Sequence, residues 1–108
     1  MLQQNRFHYV FVVEDELIGK LVASATLLIE PKFIHGCSAV GHVEDLVVHK
    51  EYRGLGLAKD LVQRCVRVCQ KENCYKVILN CDKANCSFYQ KLGFVEKNLQ
   101  MCLRFDVQ

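Results

Sequence analysis

No apolar run in this chain is long enough to cross a bilayer. The longest, Ile18 to Ile29, is interrupted by Gly19, Lys20 and Ser24, whereas a spanning helix needs about 20 apolar residues. Strong charge of one sign is missing too. A net charge of +2, with no basic run and no interleaved aromatic stripe, gives no footing for nucleic acid or an anionic membrane. There is no Cys-x-x-Cys and no closely spaced His pair, so the common zinc-ligand spacings are excluded and no metal is expected. Phe7–Val13 is followed by the acidic Glu14-Asp15-Glu16 and not by a small-residue cleavage site. It therefore reads as a strand, not a signal peptide. Internal repeats, low-complexity tracts and linkers are absent as well.

What is present fits one globular domain over residues 1–108. Hydrophobic residues make up 51% and charged residues 24%, which places the chain well away from disorder. The seven cysteines (37, 65, 69, 74, 81, 86 and 102) are odd in number. Cys65 and Cys69 share a helical face with Leu57, Leu61 and Val68, and they read as small core residues of a reduced, cytoplasmic protein. Cys37 and Cys74 are expected at positions open to solvent, and nothing marks either as a nucleophile.

Along the chain, Phe7–Val13 and Ile18–Glu30 read as an antiparallel hairpin turned at Glu14-Asp15-Glu16 and ended by Pro31. A connection over 32–40 leads to a third strand, Gly41–His49. Leu57–Glu72 is an amphipathic helix with apolar residues at 57, 61, 65, 68 and 69. Asn73 suits its C-terminal cap. Tyr75–Cys81 is expected as a strand buried on both faces. Asn85–Leu92 is a short helix closed by Gly93, and Phe94–Glu96 with Leu99–Phe105 forms a last hairpin. The order is mixed α/β. The helix over 57–72 joins two strands as a βαβ crossover, so those two strands should be parallel.

The richest stretch runs from Val43 to Ala58. An apolar strand passes through a short polar turn into Arg53-Gly54-Leu55-Gly56-Leu57-Ala58, which opens directly into the helix. Small residues leave the helix N-terminus bare, so its unpaired N–H groups and positive dipole end can meet a phosphate. This is neither the Walker spacing nor the three-glycine dinucleotide fingerprint. It resembles the pyrophosphate loop of the GCN5-related N-acetyltransferases (GNAT), which bind acetyl-CoA. Asn85-Cys86-Ser87-Phe88-Tyr89-Gln90-Lys91-Leu92-Gly93-Phe94 is similar to a second signature of that superfamily. Gly41-His42-Val43-Glu44-Asp45, Asn73-Cys74-Tyr75-Lys76-Val77-Ile78-Leu79 and Met101-Cys102-Leu103-Arg104 resemble the branch that acetylates glucosamine 6-phosphate on the way to UDP-N-acetylglucosamine.

The resemblance implies the GNAT fold, a mixed central sheet with antiparallel N-terminal strands and a βαβ crossover. The usual first strand and helix pair would be lacking. It also implies acetyl transfer from acetyl-CoA to the amine of D-glucosamine 6-phosphate. The cofactor would be held by Arg53, Gly54, Leu55, Gly56, Leu57, Ala58 and Lys59, by the strand backbone at Leu46, Val47 and Val48, and by Asn85. Tyr89 would contact it as well. A phenol is protonated at neutral pH and can pass its proton to a leaving thiolate. Packing in the core is the alternative role for Tyr89, and plain helix capping the alternative for Asn85.

For the sugar, the resemblance implies contacts from Glu44, Asp45 and Leu46. Glu44 and Asp45 alternate along a strand and should point to opposite faces. Glu44 or His42, through water, would take the ammonium proton, and the residues do not choose between them. Asn80 stands where the family usually carries an acidic side chain that positions the amine. Lys32, His35 and Arg104 would bind the phosphate, Arg104 from across a homodimer interface. Two rivals remain at this stage: a GNAT enzyme for another amine, whose pocket would be acidic, and an acetyl-CoA-binding module without turnover.

Overall fold

A computed structural model describes residues 7–32 and 38–106. Strand β1 (His8–Asp15) and strand β2 (Lys20–Pro31) form the expected antiparallel hairpin. Strand β3 (Ala39–Val48) pairs antiparallel with β2. A 3₁₀ turn at Lys50–Tyr52 precedes helix α1 (Leu57–Lys71), which crosses over to strand β4 (Cys74–Ile78), parallel to β3. A second 3₁₀ turn, Lys83–Asn85, leads into the short helix α2 (Cys86–Lys91). The four strands lie in the order β1-β2-β3-β4. Chain order equals spatial order because two hairpin-type links come first and the single crossover comes last.

The core lies between one sheet face and α1. Alternate residues of β2 (Ala23, Ala25, Leu27, Ile29) and of β3 (Ala39, Val43) meet Leu61, Cys65 and Cys69 from α1. Tyr9, Phe11 and Val13 extend the same face on β1. The i, i+4 spacing of 57, 61, 65 and 69 explains why this stripe of α1 is buried. Leu27 and Leu61 are wholly enclosed, and each contributes about 1.5–3 kcal/mol by leaving water. Gly41 is small for a reason: a Cβ built there would overlap Cys69 Sγ. The helix approaches the sheet closely at that point. Asn73, just past the C-terminus of α1, takes the left-handed conformation at φ 61°, as a C-terminal stop signal does.

Two expectations need correction. Strand β4 is shorter than Tyr75–Cys81 and is not buried on both faces; Tyr75 and Ile78 are each about two-fifths exposed. Among the described residues it is an edge strand of the sheet, with α1 packed on one side. Residues 94–105 form no strands. Leu99, Met101, Leu103 and Phe105 are 90%, 92%, 80% and 87% exposed. A two-stranded ribbon that buries nothing does not hold together in water, and among the described residues no strand lies beside this one to pair with it.

On the second face of the sheet Val10, Val12 and Val47 are each more than half exposed, whereas Val40 is buried. Among the described residues, no helix is long and apolar enough to cross a membrane.

Candidate active site

Strands β3 and β4 are parallel, and β3 is the longer of the two. Their last paired residues are His42 and Ile78. Beyond that pair β3 continues to Val48, while β4 ends at Ile78 and Leu79, Asn80 and Cys81 do not extend its pairing with β3. The backbone of residues 43–48 thus has β2 on one side and, among the described residues, no strand on the other. A crevice at the C-terminal ends of parallel strands is where α/β sheets commonly receive ligands.

A β-bulge sits in the same stretch. Thr26 pairs with Glu44 and Ser24 with Val47, so Ala25 faces both Asp45 and Leu46. Asp45 absorbs the extra residue at φ 53°, and Leu46 and Val48 return to the core side. The simple alternation expected for Glu44 and Asp45 is therefore broken, and both carboxylates are exposed. A bulge re-aims side chains in this way, with a local bend of the strand. One inserted residue leaves no trace in a hydrophobic pattern this short.

The loop after β3 is built from turns. His49 Nδ1 accepts from the Glu51 N–H at 3.3 Å, and Arg53 Nε donates to the Val48 carbonyl at 3.2 Å. Gly54 and Gly56 take φ 83° and 84°, a region where other residues are strained. A side chain would find open space at either glycine, so it is the backbone conformation that demands glycine. The Asp60 N–H reaches the Gly56 carbonyl at 3.0 Å and closes the first turn of α1. No side chain caps the turn. The N–H groups before Asp60 are left for an incoming acceptor.

Asn80 follows β4 and is exposed. Asn85 occupies the cap position of α2 without a side-chain capping bond. Tyr89 is half-buried on α2, edge-on to Phe88 at 4.9 Å and to Phe94 at 6.0 Å between ring centroids. Gly93, at φ 100°, turns the chain so that the Phe94 N–H meets the Tyr89 carbonyl at 3.1 Å. Burial pushes the Tyr89 phenol above its ordinary pKa, and the nearby Cys81 thiol adds to the shift. The hydroxyl is held in its protonated, donating form.

On β2, Glu30 bridges two of the candidates. Its Oε1 lies 2.9 Å from His42 Nε2, and its Oε2 accepts from Lys32 Nζ at 3.1 Å. The His42 ring and then the Lys32 ammonium hold the Glu30 carboxyl below its usual pKa. Nothing in the sequence singles out Glu30, because a strand-end glutamate before Pro31 carries no signal. His35 and Cys37 lie outside the described residues. Arg104 is engaged by Asp106, through its Nε at 2.9 Å and through Nη2, and none of these bonds brings it to the other candidates. Among the described residues, no cluster of His, Cys, Asp and Glu is arranged to hold a metal ion.

Residues 1–94 match the acetyltransferase (GNAT) family. The chain is 50% identical over 98 residues to glucosamine 6-phosphate N-acetyltransferase 1 of Oryza sativa, covering 91% of this chain and 59% of the relative. It is 41% identical over 99 residues to glucosamine 6-phosphate N-acetyltransferase of Arabidopsis thaliana, covering 92% and 66%. The crystal structure of glucosamine-6-phosphate N-acetyltransferase from Arabidopsis thaliana superposes with a TM-score of 0.90 at 41% identity, over 93% of this chain and 68% of that one. The chain spans about three-fifths to two-thirds of the length of these curated relatives.

Proposed function

Because the chain belongs to the acetyltransferase (GNAT) family, we propose that it transfers an acetyl group from acetyl-CoA to the amine of D-glucosamine 6-phosphate. One observation carries the reading. The parting of β3 and β4 beyond His42 and Ile78 lies at the same end of the sheet as the uncapped, two-glycine start of α1. A long ligand with a pyrophosphate in its middle and a reactive group at one end needs that combination. The names of the relatives supply the substrate class.

Acetyl-CoA, when bound, supplies an activated acyl group as a thioester. The loop from Arg53 to Lys59 would hold its pyrophosphate through backbone N–H groups and the helix dipole. Leu46, Val47 and Val48 have β2 on one side and, among the described residues, no strand on the other. Backbone N–H groups on that open side can bond an acyl carbonyl oxygen and stabilise the negative charge that develops on it. Tyr89 Oη holds the proton that a departing thiolate requires. Asn85 is free to turn its amide toward the same ligand.

The exposed carboxylates of Glu44 and Asp45 suit the ammonium and hydroxyls of an amino sugar. Glu44 or His42 would take the ammonium proton through water. Lys32, with His35 and Arg104, would meet the phosphate. Arg104 would do so from a partner subunit, which makes the assembly a homodimer. Buried free thiols at Cys65 and Cys69 suit a reducing, cytoplasmic setting.

Asn80 favours a second reading. Without a carboxylate at that position the pull on a substrate ammonium is weaker, so another amine, or cofactor binding without turnover, is the rival. A thiol-release assay with acetyl-CoA across a panel of amines tests all three. Turnover confined to glucosamine 6-phosphate supports the proposal. Preference for another amine, or binding of acetyl-CoA with no thiol released, overturns it.

A further inference from the structure

Asp15 closes β1 and makes bonds in two directions. One carboxylate oxygen accepts from the Leu17 N–H at 3.0 Å, and its carbonyl accepts from Ile18 and Gly19 at 3.2 and 2.8 Å. These bonds fix the β1–β2 turn. The other carboxylate oxygen accepts from the Tyr52 hydroxyl, across 37 positions of chain. Tyr52 ends the 3₁₀ turn directly before Arg53-Gly54-Leu55-Gly56. Both partners are part-buried, and a phenol bonded to a carboxylate is a charge-assisted contact, stronger than a neutral one.

Among the described residues, the loop makes few other hydrogen bonds outside itself. Between His49 and Arg53 the bonds are local (Glu51 to His49, Tyr52 to His49, Arg53 to Lys50 and Val48), apart from the His49 N–H donating to the Val22 carbonyl at 2.8 Å. The His49 ring stands edge-on to Tyr52 at 6.1 Å. Past Tyr52, nothing lies within 4 Å of a Cβ built at Gly54 or Gly56, and Leu55 is exposed. The downstream end is anchored by Leu57 and Leu61 on the core. The upstream end is anchored by Tyr52.

We propose that Asp15 and Tyr52 are a positioning pair for the acetyl-CoA loop, setting the approach of residues 53–58 to the pyrophosphate while touching neither substrate. The proposal rests on reading that loop as the cofactor site. The pair acts at a distance, because the turn of the first hairpin is a rigid support and the two-glycine segment is not. The groups proposed for the amine substrate lie on β2 beyond Ser24 and on the bulge of β3, away from the Asp15–Lys20 end of the hairpin.

The test compares Tyr52→Phe, Asp15→Ala and the double variant by calorimetry with acetyl-CoA, by steady-state kinetics and by amide hydrogen exchange without ligand. Tyr52→Phe keeps the ring against His49 and removes only the hydroxyl. It should weaken acetyl-CoA binding about tenfold, the scale of one hydrogen bond to a charged group. The amine KM, and kcat at saturating acetyl-CoA, should stay within about twofold, a difference far smaller than one such bond. Tyr52→Phe should add nothing further in the Asp15→Ala background, which is the signature of a shared bond. Amides of residues 53–57 should exchange faster.

Unchanged exchange and unchanged acetyl-CoA affinity in Tyr52→Phe would overturn the pair while leaving the cofactor reading intact. An equal rise in both KM values would reduce it to a general structural contact. If wild-type protein binds no acetyl-CoA while exchange still accelerates, the cofactor reading has failed and the pair's role in positioning fails with it.

Discussion

Glu30 joins His42 and Lys32 through its two carboxylate oxygens, at 2.9 and 3.1 Å. This arrangement orients the imidazole from the side of β2 and keeps the ammonium at the strand end. It also fixes a sign. A carboxyl whose folded pKa is depressed, as Glu30's is, stabilises the fold above its unfolded value of about 4.3 and loses that contribution as pH falls through the depressed value. The difference in Tm between wild type and Glu30→Gln should therefore be largest above about pH 5 and shrink toward pH 3. A difference that stays constant over that window would show that the carboxylate charge is not what the bridge uses.

Gly56 distinguishes backbone from charge in the proposed cofactor loop. At φ 84° any Cβ is strained, at roughly 1–2 kcal/mol, so Gly56→Ala should lower stability modestly. It should weaken acetyl-CoA only slightly, because the position opens onto empty space. Gly56→Glu adds a negative charge where a pyrophosphate would lie, and binding should fall at least about tenfold by calorimetry, equivalent to 1.4 kcal/mol. Equal binding by both variants would remove the loop from the cofactor site.

Much of α1 was legible because its periodicity is clean. The 3.6-residue stripe puts Leu57, Leu61, Cys65 and Cys69 on one face, and that face meets the sheet. The loop was legible for a different reason: small residues at 54, 56 and 58 directly before an amphipathic pattern leave a helix start bare, although the left-handed backbone at both glycines comes only from the fold. What escaped the pattern is what local sequence does not encode. The Asp45 bulge inserts one residue into an otherwise regular strand. The Tyr52–Asp15 and His42–Glu30 bonds join residues far apart in the chain. The last hairpin failed for a third reason. Alternation over Leu99–Phe105 marks a segment that suits a strand, but a strand also needs a neighbour.

Tyr89 as proton donor predicts a defect in turnover and not in folding. Tyr89→Phe keeps the edge-on contacts with Phe88 and Phe94 and removes the hydroxyl, so kcat should fall by about 10²–10⁴-fold with Tm nearly unchanged. The phenol pKa is raised by burial, so the donor form persists through neutral pH and is lost only above about pH 10. An alkaline limb seen in wild type should vanish in the variant. Activity within about threefold of wild type, far less than a general acid supplies, would return Tyr89 to packing alone.

Thiol reactivity should divide by burial. Burial pushes the Cys65 thiol up to about 11 and, with Cys74 adding to it, the Cys69 thiol up to about 12. Neither forms thiolate near neutral pH, and both are enclosed by the sheet and α1. A small alkylating reagent at about pH 8, below the ordinary thiol pKa, should label Cys102 readily and spare Cys65 and Cys69 until the protein is unfolded. Peptide mapping by mass spectrometry reads the result. Early labelling of Cys69 would mean that α1 lifts from Gly41 far more often than the packing implies.

The exposed ladder of Leu99, Met101, Leu103 and Phe105 bears on assembly. Alternate apolar residues that stay in water suit a strand with no neighbour to pair with, and such an exposed apolar segment invites a second chain. Arg104 lies within it, held by Asp106. If a partner copy takes up this segment, Arg104 is carried to the partner's sugar site and exchanges Asp106 for a substrate phosphate. Arg104→Ala should then raise KM for glucosamine 6-phosphate strongly and leave KM for acetyl-CoA near wild type. Mixing Arg104→Ala with Tyr89→Phe should restore part of the activity, because one of the two mixed sites carries both intact side chains. Light scattering at assay concentration gives the decisive comparison: a fully active monomer would mean that each chain completes its own site and that the ladder serves some other purpose.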